Sequence, residues 1–147
     1  MSHTAPSKLA KVEPNDSRNP TILYRFYKGE EEILEIFKLV DAHLSEPYGV
    51  FTYRYFMDVC PQHCVVAVDT EKDNKIIGAI IGRETVKGEI VKGYIAMLVV
   101  LPEYRKRGIG KHLAIQVINN MKLTCNCAVL ETEVDNYGAL YLYESLG

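Results

Sequence analysis

The stretch that most constrains this chain runs from Tyr94 to Ala114. It is an apolar run (Tyr94-Ile-Ala-Met-Leu-Val-Val-Leu101), a basic turn (Pro102-Glu-Tyr-Arg-Lys-Arg-Gly108-Ile-Gly110) and then Lys111-His-Leu-Ala114. This reads as a buried strand, a short turn holding two glycines, and the start of an amphipathic helix. That order builds an anion site. The first turn of a helix has backbone N–H groups with no intrahelical partner, and the helix dipole makes that end positive. Glycine lets an anion approach the backbone with no Cβ in the way, and Arg105, Lys106 and Arg107 add positive charge.

Two common phosphate motifs do not fit the turn. A Walker A loop ends in Gly-Lys-Ser/Thr, but Lys111 is followed by His112. A dinucleotide fingerprint needs a third glycine where this chain has Leu113, on a βα unit near the start of a fold rather than two-thirds along. What remains is Arg105-x-x-Gly108-x-Gly110. A solvated basic turn in front of a helix would show the same pattern, so the rest of the chain has to decide.

With 147 residues the chain is one domain, long enough for a single core. A net charge of -2 provides no global field for nucleic acid, so the local basic cluster suits one small anionic ligand. No apolar run approaches the roughly 18 residues of a membrane span. Residues 1–20 are polar, with prolines at 6, 14 and 20 and no apolar signal region, and are expected to be a mobile tail ahead of a domain over 21–147.

The four cysteines raise the question of a metal. Cys60-Pro-Gln-His63-Cys64 and Cys125-Asn-Cys127 offer thiols and an imidazole, but Cys-x-Cys is a poor half-site for structural zinc. Cys64 also opens the apolar run to Val68, where it would simply be core. Reduced thiols and no metal are the expectation.

Elsewhere the pattern predicts a strand over 21–28 and an amphipathic helix over 30–44, carrying Ile33, Ile36, Phe37, Val40 and Leu44 at three- and four-residue spacings. Pro47 and Gly49 interrupt before an aromatic-rich helix over 50–59. Strands follow at 64–68, 76–81 and 91–100, then a helix over 108–121, a strand at 128–134 and a helix at 137–146. The fold class is α/β with a mixed sheet.

The turn and this element order resemble the GNAT acetyltransferase superfamily, whose loop of this form holds the pyrophosphate of acetyl-coenzyme A. Two segments are more specific. Leu44-Ser-Glu-Pro-Tyr48 with Thr52-Tyr-Arg-Tyr-Phe56, and Leu130-Glu-Thr-Glu-Val-Asp-Asn136 through Ala139–Gly147, resemble the catalytic-subunit family of N-terminal acetyltransferase C. The likeness covers most of residues 40–147. That superfamily continues past the last helix with a further strand pair, so a chain ending at Gly147 is expected to be truncated and to lack that pair.

The chemistry can be argued separately. An α-amine with a pKa near 8 is largely protonated at neutral pH and cannot attack a thioester, so the site needs a proton acceptor, an oxyanion donor and an acid for the departing thiolate. Strand alternation puts Glu131 and Glu133 on one face, opposite Leu130, Thr132 and Val134. A solvated strand face would look the same; the resemblance implies that Glu131 is the general base, acting through water. On the last helix Ala139, Leu140, Tyr143 and Leu146 share a stripe, and Tyr141 turns away by roughly 200°. Tyr143 therefore faces inward, and the resemblance gives it the thiolate-protonating or thioester-orienting role.

The resemblance implies further that Leu98, Val99, Val100, Arg105, Lys106, Arg107, Gly108, Ile109, Gly110, Lys111 and Asn136 contact acetyl-CoA, with a backbone N–H near Val99 or Val100 on the thioester carbonyl. Leu44, Glu46, Pro47, Tyr48 and Met97 would shape a pocket for the first two residues of a peptide, favouring Met followed by a large apolar residue. A helix-breaking loop would account for Pro47 equally well. The implied setting is cytoplasmic, with auxiliary subunits that place the enzyme on the ribosome and no direct nucleic-acid or membrane contact. The other readings are an acetyltransferase for lysine or a small amine, and an acyl-CoA-binding module without turnover.

Overall fold

A computed structural model describes residues 10–43 and 50–130. Five strands form one sheet in chain order: β1 (Ile22–Phe26), β2 (Cys64–Asp69), β3 (Lys75–Lys87), β4 (Ile90–Val100) and β5 (Cys127–Leu130). The first three junctions are antiparallel and β4–β5 is parallel, giving the mixed sheet expected from the sequence. Every residue of β2 is buried, so both faces of the sheet are covered.

Helix α3 (Ile109–Thr124) covers one face, where Gly78, Gly82 and Gly93 meet Leu113 and Met121. Helices α1 (Glu30–His43) and α2 (Val50–Val59) belong to the other. There the Arg83 guanidinium stands 5.5 Å from the Phe56 ring and 4.2 Å from that of its cross-strand partner Tyr94. Three glutamates open α1, matching the positive end of the helix dipole. One of them, Glu32, is buried and reaches back: its carboxylate accepts from Lys28 N–H at 2.7 Å and from Arg25 at 3.0 and 2.6 Å. Burial alone would raise that carboxyl, but the Arg25 and Lys28 hydrogen bonds outweigh it and hold it below its usual value.

β3 runs beyond the expected end at Ile81, through the polar positions Arg83–Lys87, before Gly88 at φ +64° turns the chain into β4. Pairing shifts by one residue between Ala67 and Val68 and again between Ile81 and Gly82, which leaves Ile77 on β3 and Ala96 on β4 as bulges. The Ile77 carbonyl accepts from Leu101 N–H at 2.9 Å, tying the end of β4 to the first bulge.

The segment expected to be a free tail is, from Ala10 onward, a strap along α3. Asn120 accepts from Lys11 N–H and donates to Lys11 O, both at 3.1 Å. Gln116 does the same for Glu13, at 2.8 and 3.2 Å. Two amides one helical turn apart thus serve the strap's backbone as a neighbouring strand would. Of the predicted strand at 128–134, β5 covers the first part; the rest of it and the predicted helix at 137–146 lie outside the described residues.

Candidate functional site

After β4 the chain makes a 3-10 turn over Pro102–Tyr104, and the next residues reverse it into α3. Lys106 (φ +64°) and Gly108 (φ +81°) both take left-handed backbone, which turns successive N–H groups toward one side. Gly108 occupies the cap position, but no side chain caps α3, and its first turn carries no acidic residue. The first helical hydrogen bond runs from His112 N–H to Gly108 O at 3.0 Å. The N–H groups ahead of it are the unpaired donors of a helix start.

Gly110 marks an opening at the start of α3. A Cβ there would meet nothing nearer than Val100 Cγ2 at 3.8 Å, ordinary contact, and its φ is not in the left-handed region. Neither the protein's packing nor its backbone requires glycine at this position. The space left by the missing Cβ lies at the unpaired donors, and it fits a phosphate group drawn close to the backbone.

The basic residues divide into two roles. Arg105 bonds through Nε to Val100 O at 2.9 Å, and with Lys106 and Lys111 it is exposed at the turn. Arg107 is turned to the strap: its Nε donates to Asn19 Oδ1 at 2.9 Å, Asn19 Nδ2 donates to Arg107 O at 2.9 Å, and the guanidinium lies 5.4 Å from the Tyr104 ring. Asn19 is buried, and a second hydrogen bond from its Nδ2 to Asp16 fixes it. On the other side Tyr104 donates to Asp69 at 2.6 Å; that bond, with burial, pushes the tyrosine hydroxyl up to about 12, and against burial it draws the Asp69 carboxyl down. The turn is therefore held in shape before any ligand arrives. Sequence spacing missed Asn19, Asp69 and Tyr104 as supports, because their partners lie 35 to 88 residues away.

Of the residues read from the sequence as cofactor contacts, Arg105 through Lys111 are brought together at this turn, with Ile109 buried as the anchor of the helix start. Leu98 and Val100 face α3 and Val99 the other side. Met97, assigned to the peptide side, is 1% exposed and belongs to the core on the α1–α2 face. β5 pairs with β4 only over Lys92–Ile95, so among the described residues the outer edge of β4 from Ala96 to Val100 has no strand partner. Apart from the Val100 carbonyl, which Arg105 holds, alternate backbone groups along that edge point away from β3 next to the basic turn. Leu44, Glu46, Pro47, Tyr48, Glu131, Asn136 and Tyr143 lie outside the described residues.

Comparison with known proteins decides the family. Residues 26–147 match the acetyltransferase (GNAT) family. The chain belongs to that family. It is 44% identical over 127 residues to the Arabidopsis thaliana N-alpha-acetyltransferase MAK3, covering 86% of this chain and 65% of that protein. It is 42% identical over 139 residues to human N-alpha-acetyltransferase 30, covering 93% of this chain and 37% of the human one. The chain thus spans between about a third and two-thirds of the length of these two relatives. Among solved structures, a chain of the NatC complex crystallised with Gag peptide and CoA superposes with a TM-score of 0.79 at 40% identity, over 86% of this chain and 83% of that one. The GNAT fold accounts for the mixed sheet, for the helices on both faces and for the turn that opens α3.

Proposed function

We propose that this chain transfers an acetyl group from acetyl-CoA to the α-amino group of protein N-termini. The observation that carries the reading is Gly110, whose missing Cβ leaves room at the start of α3 that none of the described residues fills. The pyrophosphate of CoA is the kind of anion that the unpaired N–H groups of a helix start bind. Arg105, Lys106 and Lys111 would bind the anion, Arg107 would hold the turn through Asn19, and the open edge of β4 would take the pantetheine arm and the thioester carbonyl. The named relatives are N-alpha-acetyltransferases, and the similar NatC structure carries both a peptide and CoA. They support α-amine acceptors over lysine side chains, and turnover over mere acyl-CoA binding.

In this reading Glu131 is the general base and Tyr143 the residue that protonates or orients the sulfur. Asn136 is a further CoA contact, and Leu44, Glu46, Pro47 and Tyr48 line the pocket for a peptide beginning with Met and a bulky apolar residue. Auxiliary subunits of a NatC-like complex, ribosome association through them and a cytoplasmic setting belong to the same proposal. No helix among the described residues is long and apolar enough to cross a membrane.

The test is acetyl transfer to Met-Leu, Met-Ile, Met-Asp and Ser-Glu peptides and to an amino-blocked peptide with an internal lysine, for the wild type and Glu131→Gln. Transfer to Met-Leu and Met-Ile that falls at least 100-fold in the variant is the expected result. Turnover of the blocked lysine peptide instead would overturn the substrate assignment.

A further inference from the structure

The end of α3 away from the anion turn gathers residues that the proposed transfer does not use. His63, from the 3-10 turn over Pro61–His63, Glu84 of β3 and Cys125, just past α3, place one ligand atom each within 4.8 Å of one another. His63 is fully buried, with Nε2 at 2.6 Å from Glu84 Oε2 and Nδ1 without a partner among the described residues. The imidazole is therefore held through this cluster alone, unlike a core histidine satisfied on both sides. The Cys125 thiol also hydrogen-bonds the Glu84 carboxylate, and Thr124 donates to that carboxylate at 2.9 Å. The buried Cys60 thiol accepts from the Glu84 backbone N–H and lies outside this group of mutually close ligand atoms.

The floor beneath the cluster is cleared by glycine. A Cβ at Gly82 would stand 2.9 Å from His63 Cβ, and one at Gly93 would stand 3.1 Å from Cys125 Sγ. A nucleophilic cysteine is excluded by the order of contacts, since Glu84 lies between thiol and imidazole and no ring nitrogen bonds the sulfur. An imidazole, a carboxylate and a thiol are the donor set of a borderline-soft divalent ion. Ligand atoms around tetrahedral zinc lie about 3.3 to 3.7 Å apart, so the His63–Glu84 pair would open by roughly 1 Å, within reach of a glutamate side-chain rotation. One thiolate and one carboxylate would balance a divalent charge, which favours the ion in a half-buried place. Thr124 is exposed and Glu84 keeps 17% of its side-chain surface, leaving a path from solvent.

We propose that His63, Glu84 and Cys125 form a zinc-type divalent cation site at the C-terminal end of α3, with the remaining position open to solvent. Its 16 residues separate the site from the anion turn by roughly 24 Å. The site is independent of the proposed acetyl transfer, and it joins the turn before β2, the middle of β3 and the end of α3. Spacing along the sequence hid it, because the grouping is His63 and Glu84 with Cys125 rather than Cys60 with Cys64 and Cys125 with Cys127.

The test is titration of the reduced, metal-free full chain with Co2+, whose thiolate bonds give a charge-transfer absorption, followed by displacement with Zn2+. Saturation at one equivalent, reversal by Zn2+, and at least tenfold weaker binding in Cys125→Ser and His63→Gln are expected, with Cys127→Ser unchanged. Should the buried His63→Gln fail to fold, Cys125→Ser at its half-exposed position decides alone. Absence of the charge-transfer band, its survival in Cys125→Ser, or its loss in Cys127→Ser overturns the proposal. Acetyl-CoA affinity read on the same samples separates a failure here from a failure of the transferase reading.

Discussion

At the C-terminal end of α3, a Cβ on Gly93 would stand 2.7 Å from Met121 Sδ, and one on Gly82 would stand 2.8 Å from Met121 Cε. At the N-terminal end, a Cβ on Gly110 would have 3.8 Å to its nearest neighbour. The same residue type thus does opposite work along one helix. Far from the turn, glycine lets α3 and the thioether of Met121 settle onto the sheet. At the turn, it leaves a gap that none of the described residues fills. A glycine the fold needs and a glycine a ligand needs look alike in sequence, and only the neighbouring atoms tell them apart.

The contrast can be broken most directly at the packed end. Gly93→Ala is expected to destabilise the protein by about 3 kcal/mol, because Met121 and Cys125 both crowd the new methyl. Urea unfolding measures this, and a loss below about 0.5 kcal/mol would mean that the far end is as open as the near one.

The packed end also carries a pH signature. The hydrogen bond from His63, opposed by burial and aided by Thr124, lowers the Glu84 carboxyl from its usual 4.5 to about 2. A depressed carboxyl contributes stability above the unfolded value and loses it as the pH falls from about 4.5 toward 2. In metal-free protein, Glu84→Gln is expected to cost about 2 kcal/mol at pH 7, a figure reduced for the group's partial exposure, and to cost little near pH 2. Unfolding curves of both proteins across that range check it; a pH-independent gap would assign the loss to packing.

Much of this fold was legible in the sequence. The three-and-four spacing of Ile33, Ile36 and Phe37 gave α1, and the apolar run Cys64–Val68 gave β2, because burial on one or both faces writes itself into local pattern. The second half of β3 was not legible: Arg83, Glu84, Thr85 and Lys87 are polar, and what holds them in a strand is pairing with β4 across a tight turn at Gly88. The strap was misread for a related reason. Its prolines and charges say tail, while its anchors Gln116 and Asn120 sit more than 100 residues away. At the site, the turn from Arg105 to Lys111 could be read because an anion cradle is a local arrangement, whereas Asn19 and Asp69 behind it could not. Met97 shows the limit within a strand: alternation gives its face, but only the packed helices determine whether that face is open.

The most direct test of glycine's two roles is made on Gly110→Ala, with acetyl-CoA affinity by calorimetry and thermal stability measured on the same preparation. A dissociation constant raised at least tenfold, about 1.4 kcal/mol, with a melting temperature within about 2 °C of the wild type, is the predicted result. Unchanged affinity, or a fall in melting temperature like that of Gly93→Ala, would contradict it: the gap at the start of α3 would then belong to the fold and not to a ligand.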